Sequence, residues 1–370
     1  MVRSMMDMEL INRLYPILAT AAENKTLLDL QEILRRFSFD VVFQNLFGYD
    51  LQFLSPGHVS NTTSKFADAF THAVQIGSER YVANISALPI LWRVKRFLNI
   101  GSEKQFKMSV NEARGFIGGL IKKRKEEKEL VGDDVLTRLL ISGWTDEKFV
   151  LDLLICLLLA GQEAISTALT WFFWVISANP EVERELVKEI LSNGGGESNR
   201  DEVNGGGGRC MGAYTRASLS ECLRLYPPVP VDTKEVMADD VWPDGTIVKK
   251  GMKIVYHIYA MGRSKEVWGS DFAEFRPERW LERDGADGKM WRFVARGDSY
   301  SYPVFQAGPR ICLGREIAFM QMEKVVAGVL SQFRVVPAVE GFQPEYISYL
   351  TSKMKGGFPV RLERRSKGDL

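Results

Sequence analysis

The residue whose surroundings most clearly predict chemistry is Cys312, in the stretch Phe305-Gln-Ala-Gly-Pro-Arg-Ile-Cys-Leu-Gly314. Glycines at positions 308 and 314 bracket the cysteine and let the backbone turn tightly and approach a flat group closely. A helix-forming run, Arg315–Lys324, begins immediately afterwards. Its N-terminal amides are expected to point back at the sulfur and to favour the thiolate over the thiol. Such a thiolate suits a soft metal ion as its axial ligand.

Thiolate ligation is one of the standard attachments of haem, so this loop predicts haem as the cofactor. An arginine two residues before the sulfur is placed to pair with an anionic group such as a haem propionate. A single cysteine taken alone is more often a buried structural thiol. Here the pattern Phe-x-x-Gly-x-Arg-x-Cys-x-Gly is matched at every fixed position, by Phe305, Gly308, Arg310, Cys312 and Gly314.

Composition argues against several other kinds of site. The net charge of +1 gives no electrostatic reason to expect a nucleic-acid partner. The four cysteines (Cys156, Cys210, Cys222 and Cys312) include no Cys-x-x-Cys pair. They are expected to be reduced thiols, not a disulfide framework. With three histidines in the chain, a zinc site is unsupported.

The most apolar segment, Phe149–Ser177, predicts a long buried core helix. Its purely apolar part is too short to cross a bilayer, and the segment also contains Asp152, Gln162 and Glu163. A polar pair at 162–163 is costly in so apolar a helix unless it serves a purpose. The N-terminus has no apolar run after Arg3, so neither a signal peptide nor an anchor is expected there.

Helical patterns dominate the remaining elements. Apolar residues recur at helical spacing over 27–42, 62–98 and 102–130. Capping signals place the start of the first of these helices at Thr26 and the start of the long apolar helix at Thr145. We therefore expect a mainly α fold.

Short β-prone runs predict small antiparallel sheets. They lie between residues 229 and 259, at 333–336 and at 358–362, and are separated by glycine and proline turns. The glycine-rich stretch 193–208 has no strand before it and no Walker lysine after it, so a flexible surface loop is expected, not a phosphate site.

Two further motifs accompany the cysteine loop. Glu221 and Arg224 stand three apart on one face of a helix that ends at Pro227. The segment Phe275-Arg-Pro-Glu-Arg279-Trp supplies another arginine in a proline-fixed, irregular stretch. An exposed surface pair would be the ordinary interpretation of the Glu–Arg spacing.

Taken in order, these motifs resemble those of the cytochrome P-450 superfamily over nearly the whole chain. The loop around Cys312 resembles the family's haem-binding loop. Glu221-x-x-Arg224 and Arg279 resemble a triad that the family buries behind that loop, and Ala160-Gly-x-Glu163 resembles its oxygen-side helix motif. The resemblance implies a P-450 fold, mainly α with small β-sheets. It also implies one haem-thiolate oxygenase domain over residues 1–370.

The resemblance is strongest to the plant fatty-acid ω-hydroxylase branch, around residues 226–235 and 256–263 and along the loop and helix that follow. It implies hydroxylation of fatty acids or related oxylipin conjugates at the ω-carbon, with O2 and an NADPH-dependent flavin reductase as partners. It also implies an endoplasmic reticulum membrane location. Cys312 would be the iron ligand, and Phe305, Gly308, Arg310 and Gly314 would hold the haem.

Two departures from the family leave alternatives open. The family has a threonine after its helix acid, to hold water and pass protons, whereas this chain has Ala164 after Glu163. The catalytic role is therefore expected to fall on Glu163, with Ser166 one turn away as a partial substitute. The chain also begins where full-length relatives are already about a quarter complete, which predicts a fold without the N-terminal lobe. A fragment without stable haem and a reductase-independent, peroxide-rearranging enzyme are the alternatives.

Overall fold

A computed structural model describes residues 2–55, 61–85, 89–127, 129–192, 212–284, 290–296, 299–348 and 350–366. Helices dominate it, as the apolar periodicity predicts. They are α1 (Val2–Glu9), α2 (Tyr15–Asn24), α3 (Leu30–Phe47), α4 (Asn61–Ile85), α5 (Pro89–Leu98), α6 (Gly101–Glu126), α7 (Val135–Ile141), α8 (Glu147–Ser177), α9 (Pro180–Ser192), α10 (Ala213–Leu225), α11 (Ile258–Met261), α12 (Lys265–Trp268) and α13 (Arg315–Leu330). A π-helical turn, Leu10–Leu14, joins α1 to α2.

The strands form small antiparallel sheets, which confirms the predicted fold class. They are β1 (Leu28–Asp29), β2 (Asp232–Glu235), β3 (Asp240–Val241), β4 (Ile247–Val248), β5 (Lys253–Tyr256), β6 (Leu281–Asp284), β7 (Met290–Phe293), β8 (Phe333–Pro337), β9 (Tyr346–Ser348), β10 (Ser352–Met354) and β11 (Pro359–Arg364). The largest sheet has the order β1-β11-β8, and β2-β5, β3-β4, β6-β7 and β9-β10 are two-stranded. The predicted loop at 193–208 lies outside the described residues.

Two of the predicted helix starts are wrong by a few residues. The N-cap of α3 is Asp29, whose carboxylate accepts the amides of Gln31 and Glu32, and not Thr26. The N-cap of α8 is Asp146, not Thr145. In both cases an aspartate nearer the first helical turn competes successfully, because a carboxylate accepts N–H groups and also faces the positive end of the helix dipole.

Helix α8 runs through the centre of the molecule and packs closely against α3. A methyl group at Gly161 would stand 3.1 Å from Cγ1 of Val42, so a glycine at 161 permits the approach of the two helices. The half of α8 from Ile165 to Ile176 is buried against α10, α13 and the first turns of α3. The other half packs with α3, α4 and α6 around a cluster of phenylalanines that includes Phe43.

The prediction that α8 is a buried core helix holds for only half of its length. Within the described residues it is the one helix long and apolar enough to span a membrane, and 39% of its most apolar window is buried. Phe149, Cys156 and Ala160 are exposed in its first half. Because these residues lie seven and four positions apart, which is about two turns and one turn, they form a stripe along one face.

A carboxylate in α9 fixes the start of α10. Glu189 accepts the backbone amides of Tyr214 and Thr215, each at 2.8 Å, and the Thr215 hydroxyl at 2.7 Å. A methyl group at Gly212 would clash with this carboxylate. Glu189 therefore caps α10 from a different helix and holds the two helices together.

A buried carboxylate, Glu9, lies beside the arginine that joins the first helices to the rest of the chain. Glu9 is 4% exposed, and its Oε2 accepts from Arg13 at 2.5 Å. The same guanidinium donates to Asp50 at 2.8 Å. Oε1 of Glu9 is buried, and no hydrogen-bond partner for it is found among the described residues. An unpaired buried oxygen of this kind favours the protonated carboxyl group.

The nearby Asp40 strengthens this effect. It accepts the amides of Phe53 and Leu54 at 3.0 and 2.7 Å, and burial raises its pKa to about 6. Burial, followed by the charge of Asp40, raises the pKa of Glu9 to about 8. Folding therefore makes Glu9 take up a proton at neutral pH.

This arrangement predicts a pH-dependent stability that Glu9→Gln removes. Because the pKa of this acid is higher in the folded state, its stabilising effect is complete below the unfolded pKa and is lost as pH rises towards 8. One such proton accounts for a loss of at most about 1.4 kcal/mol per pH unit. Between pH 6 and 8, denaturant unfolding should show a flatter pH profile for Glu9→Gln than for the parent chain.

The control is Glu23→Gln, which alters an exposed carboxylate paired with Arg364 and should leave the profile unchanged. Equal slopes for Glu9→Gln and the parent chain would show that Glu9 does not carry the proton.

Candidate functional site

The predicted cysteine loop, residues 305–314, contains a short 3-10 turn at Gly308–Arg310 and ends where α13 begins. The amide of Cys312 donates to the carbonyl of Phe305 at 2.8 Å, which closes the loop. Gly308 has φ +67°, a conformation that side-chain-bearing residues rarely adopt. The sequence motif therefore forms a compact loop with its glycine at the strained position.

The thiol of this loop faces outwards among apolar side chains. Cys312 is exposed, and so are Leu313 (95%), Ile311 (40%) and Ile317 (42%). Exposed apolar residues gathered around one thiol favour binding of an apolar partner. A flat macrocycle with a soft metal ion at its centre matches this donor and its rim, so the residues fit haem. Arg310 lies at the surface on the same loop.

Aromatic contacts support the loop from behind. The ring of Phe305 lies 5.2 Å from that of Phe319 in α13, centroid to centroid. The hydroxyl of Tyr302 donates to the carbonyl of Ser220 in α10 at 2.9 Å. These contacts fasten the start of the loop to two helices, α10 and α13.

The predicted Glu–Arg–Arg triad forms, and it is buried instead of being a surface pair. Glu221 and Arg224 are both 0% exposed, and the guanidinium donates to the two carboxylate oxygens at 2.7 and 2.8 Å. Nε of Arg279 lies 3.3 Å from Oε1 of Glu221. The indole of Trp280 donates to Oε2 at 2.9 Å. One carboxylate therefore binds two arginines and a tryptophan.

Arg224 extends this network to the irregular segment before β6. Its Nη atoms donate to the carbonyls of Gly262, Phe272 and Glu274 at 2.5, 2.6 and 2.9 Å. Since every donor of a buried guanidinium needs an acceptor, the cluster fixes the course of this segment against α10.

Glu163 lies in α8, in an arrangement that the sequence did not predict. Nζ of Lys353 lies 2.9 Å from its Oε1 and 2.7 Å from its Oε2, and the hydroxyl of Thr351 donates to Oε2 at 3.0 Å. A polar cavity of about 240 Å³ adjoins Lys353 and is lined also by Ser166 and Thr167. The carboxylate is buried but connected to this polar space through the lysine.

Ser166 does not replace the hydroxyl that Ala164 lacks. Its Oγ lies 3.1 Å from the carbonyls of both Gln162 and Glu163, within its own helix. A serine that bonds back to the preceding turn is a common arrangement in helices. The expected partial substitution by Ser166 is therefore not seen in this arrangement.

The predicted site residues fall into two groups. Phe305, Gly308, Arg310, Cys312 and Gly314 come together in one loop. Glu163 belongs to the second group, with Thr351 and Lys353, and no hydrogen bond or ion pair joins it to that loop in the described parts of the chain. The sequence analysis missed Lys353, because nothing in the local sequence distinguishes it from the nearby Lys355, whose partner is the exposed Glu345.

Comparison with known proteins decides the family. The family model described as Cytochrome P-450 matches residues 3–355. Cytochrome P-450 94A1 and 94A2 of Vicia sativa are each 51% identical to this chain, over 98% and 99% of its length. Cytochrome P-450 94B1 of Arabidopsis thaliana is 38% identical over 98%. The three alignments cover 69%, 70% and 69% of those relatives.

The chain belongs to the cytochrome P-450 family. Members of this family are monooxygenases that use haem with a cysteine thiolate as the iron ligand, together with O2, a substrate and a redox partner. The predicted family, the haem cofactor and the mainly α fold with small β-sheets are thereby confirmed. In this P-450 chain, the buried triad and the cysteine loop occur in the order that the sequence motifs indicated.

The triad predicts a large loss of stability on removal of its carboxylate. Glu221→Ala leaves Arg224 buried without a counter-charge, and we expect it to lower the free energy of unfolding by about 3–5 kcal/mol. The matched control is Glu181→Ala, which breaks an exposed Glu–Arg pair at the same spacing with Arg184 and should change stability by less than about 0.5 kcal/mol. Similar losses in both variants, measured by denaturant unfolding, would contradict the structural role of the triad.

The lysine beside Glu163 gives a second prediction. Lys353→Met leaves a buried carboxylate with one hydroxyl donor, and we expect a loss of about 2 kcal/mol, reduced because the lysine is partly exposed. Adding Glu163→Gln should recover most of this loss. Lys355→Met, which breaks an exposed pair with Glu345 on the same hairpin, serves as the control. Absence of recovery in the double variant would mean that the ion pair is not the cause.

Proposed function

We propose that Cys312 is the iron ligand of a haem-thiolate monooxygenase that hydroxylates fatty acids or related oxylipin conjugates at the ω-carbon. The observation that carries the assignment of the ligand is the exposed thiol of Cys312 within a rim of apolar side chains. Cys222 is buried, and burial raises its thiol pKa, which disfavours the thiolate that iron binding requires.

When bound, haem supplies the activation of O2 and the insertion of one oxygen atom into a C–H bond. Cys312 would supply the thiolate ligand to the iron, and Ile311, Leu313 and Ile317 would give apolar contacts. Arg310 would pair with a propionate carboxylate, and Gly308 and Gly314 would let the backbone approach the haem. Phe305 would support the loop from the protein side, through its ring contact with Phe319.

We assign to Glu163 the delivery of protons for the reaction. Lys353 and Thr351 hold its carboxylate in one orientation, and the polar cavity beside Lys353 gives water a path to it. Ala164 has no hydroxyl, so proton transfer from Glu163 must use water in place of the side chain that the family provides at this position. We therefore assign to the Glu163 carboxylate the relay of a proton from water in the cavity.

Selectivity for the chain end follows from positioning. A terminal methyl C–H bond is stronger than an internal one, so an ω-hydroxylase must present only the chain end to the reacting centre. Ala160 and Ala164 give α8 a small-residue face for this purpose. The other residues that we propose to line the substrate pocket are Val229, Val231, Leu350 and Thr351. The fatty-acid class itself rests on the resemblance to the plant ω-hydroxylase branch.

We assign the electron supply to an NADPH-dependent flavin reductase that docks near the cysteine loop, at the endoplasmic reticulum membrane. Basic residues beside the loop would attract an acidic partner. Arg315 is partly exposed, and its only ion pair among the described residues is a long one, 3.7 Å, with the neighbouring Glu316. Lys324, further along α13, is paired with Asp7 of α1. Arg315 therefore carries this part of the proposal and Lys324 does not.

Ala164 favours one second candidate, a haem-thiolate enzyme that rearranges peroxides without a reductase. Such a reaction needs no external electrons and no proton delivery to O2. Product formation from a fatty acid that depends on both NADPH and reductase supports the monooxygenase. Conversion of a fatty-acid hydroperoxide without either supports the second candidate.

The ligand assignment is tested by the reduced, carbon-monoxide-bound difference spectrum of the purified chain. Cys312→Ala should lose the Soret band at the thiolate position, because no other thiol lies in the loop. Cys210→Ala and Cys156→Ala are the controls and should retain the band. If Cys312→Ala retained the band as the two controls do, Cys312 would not be the ligand. Absence of bound haem in the parent chain would support the fragment alternative.

A further inference from the structure

A hydrogen-bonded network joins the cysteine loop to the β2-β5 sheet. Nε2 of Gln306 donates to Oδ2 of Asp232 at 2.8 Å. The hydroxyl of Tyr256 lies 2.8 Å from the same oxygen and also contacts Oε1 of Gln306, so its one proton is shared between two acceptors. Asp232 and Tyr256 face each other directly across the two strands.

Gln306 occupies a decisive place in the loop. It follows Phe305, whose carbonyl accepts the amide of Cys312, and its own φ is +64°. A side-chain-bearing residue keeps this left-handed conformation only where its surroundings hold it there. The amide group of Gln306, bonded at both its nitrogen and its oxygen, supplies that restraint.

Packing alone does not immobilise this side of the loop. A cavity of about 260 Å³ adjoins Gln306 and Ala307 and is lined also by Tyr300 and Lys234. With open space beside the backbone, polar contacts decide where Gln306 lies. Nζ of Lys234 is 3.5 Å from Oδ2 of Asp232, so the carboxylate is held from a second direction.

We propose that Asp232 is a positioning residue for Cys312. By binding Gln306 it fixes the base of the loop, and through the Phe305–Cys312 hydrogen bond it sets the direction of the thiol. The local part of this inference concerns the loop itself. Its consequence for the iron rests on the proposed role of Cys312 as ligand.

Hydrogen exchange of the full chain tests the local part without haem. Asp232→Ala should increase the exchange rate of the Cys312 amide by about tenfold, the effect of losing one charge-assisted hydrogen bond. Amides of α10 and α13 provide an internal reference for global unfolding and should be unchanged. The matched control is Asp240→Ala. Each aspartate is the first residue of a strand and accepts the backbone amide of the next residue, at 2.7 Å for Asp232 and 2.8 Å for Asp240. Asp240 belongs to β3, which is not part of the network with Gln306. Equal exchange at Cys312 in both variants overturns the proposal.

A second set of variants distinguishes loss of the Asp232–Gln306 hydrogen bond from a general effect of removing a side chain. Gln306→Glu places two carboxylates together and should loosen the loop, whereas Gln306→Glu combined with Asp232→Asn restores one donor and one acceptor and should recover protection. Gln306→Gly relieves the left-handed backbone but removes the contact. Protection retained in Gln306→Gly would show that backbone conformation alone positions the loop.

The consequence for the iron is read from the reduced, carbon-monoxide-bound spectrum. Asp232→Ala should lower the fraction of the haem-bound chain that shows the thiolate band, because the sulfur is no longer held in one direction, and Asp240→Ala should leave that fraction unchanged. A parent chain without the thiolate band would refute the proposed function and leave the exchange result standing. Faster exchange together with an unchanged thiolate fraction would overturn the link from Asp232 to the sulfur.

Discussion

One buried carboxylate, that of Glu221, holds the candidate site together. It sits in α10, and its two oxygens accept from Arg224, Arg279 and Trp280. A buried charge is tolerable only if its hydrogen bonds are satisfied, so this cluster forms completely or not at all. Because α10 also receives the hydroxyl of Tyr302, the position of the cysteine loop depends on the same helix.

Much of the fold was predictable because short-range patterns determine it. The long apolar run gave α8, the prolines gave the end of α10, and the glycine turns separated β2 to β5. The shifted starts of α3 and α8 show the limit of such patterns. Thr26 and Thr145 are acceptable caps, but neighbouring aspartates are better placed, and only the folded geometry selects between them.

Apart from the triad, which the family resemblance indicated, the candidate site was predictable where a motif is continuous in sequence. The loop from Phe305 to Gly314 is one piece of chain, so its residue types reveal its shape. The partners of Glu163 are almost two hundred residues away, at Thr351 and Lys353, and their contact arises from packing of β10 beside α8. Asp232 and Gln306 are likewise distant, and nothing local marks either as the partner of the other.

The capping of α10 by Glu189 has a consequence for the evolution of the chain. The carboxylate anchors the first turn of α10 to α9, so the connection between them is not required to define where α10 starts. Positions 189 and 212 are therefore expected to tolerate few substitutions, because loss of the carboxylate or a side chain in place of Gly212 would displace the first turn of α10.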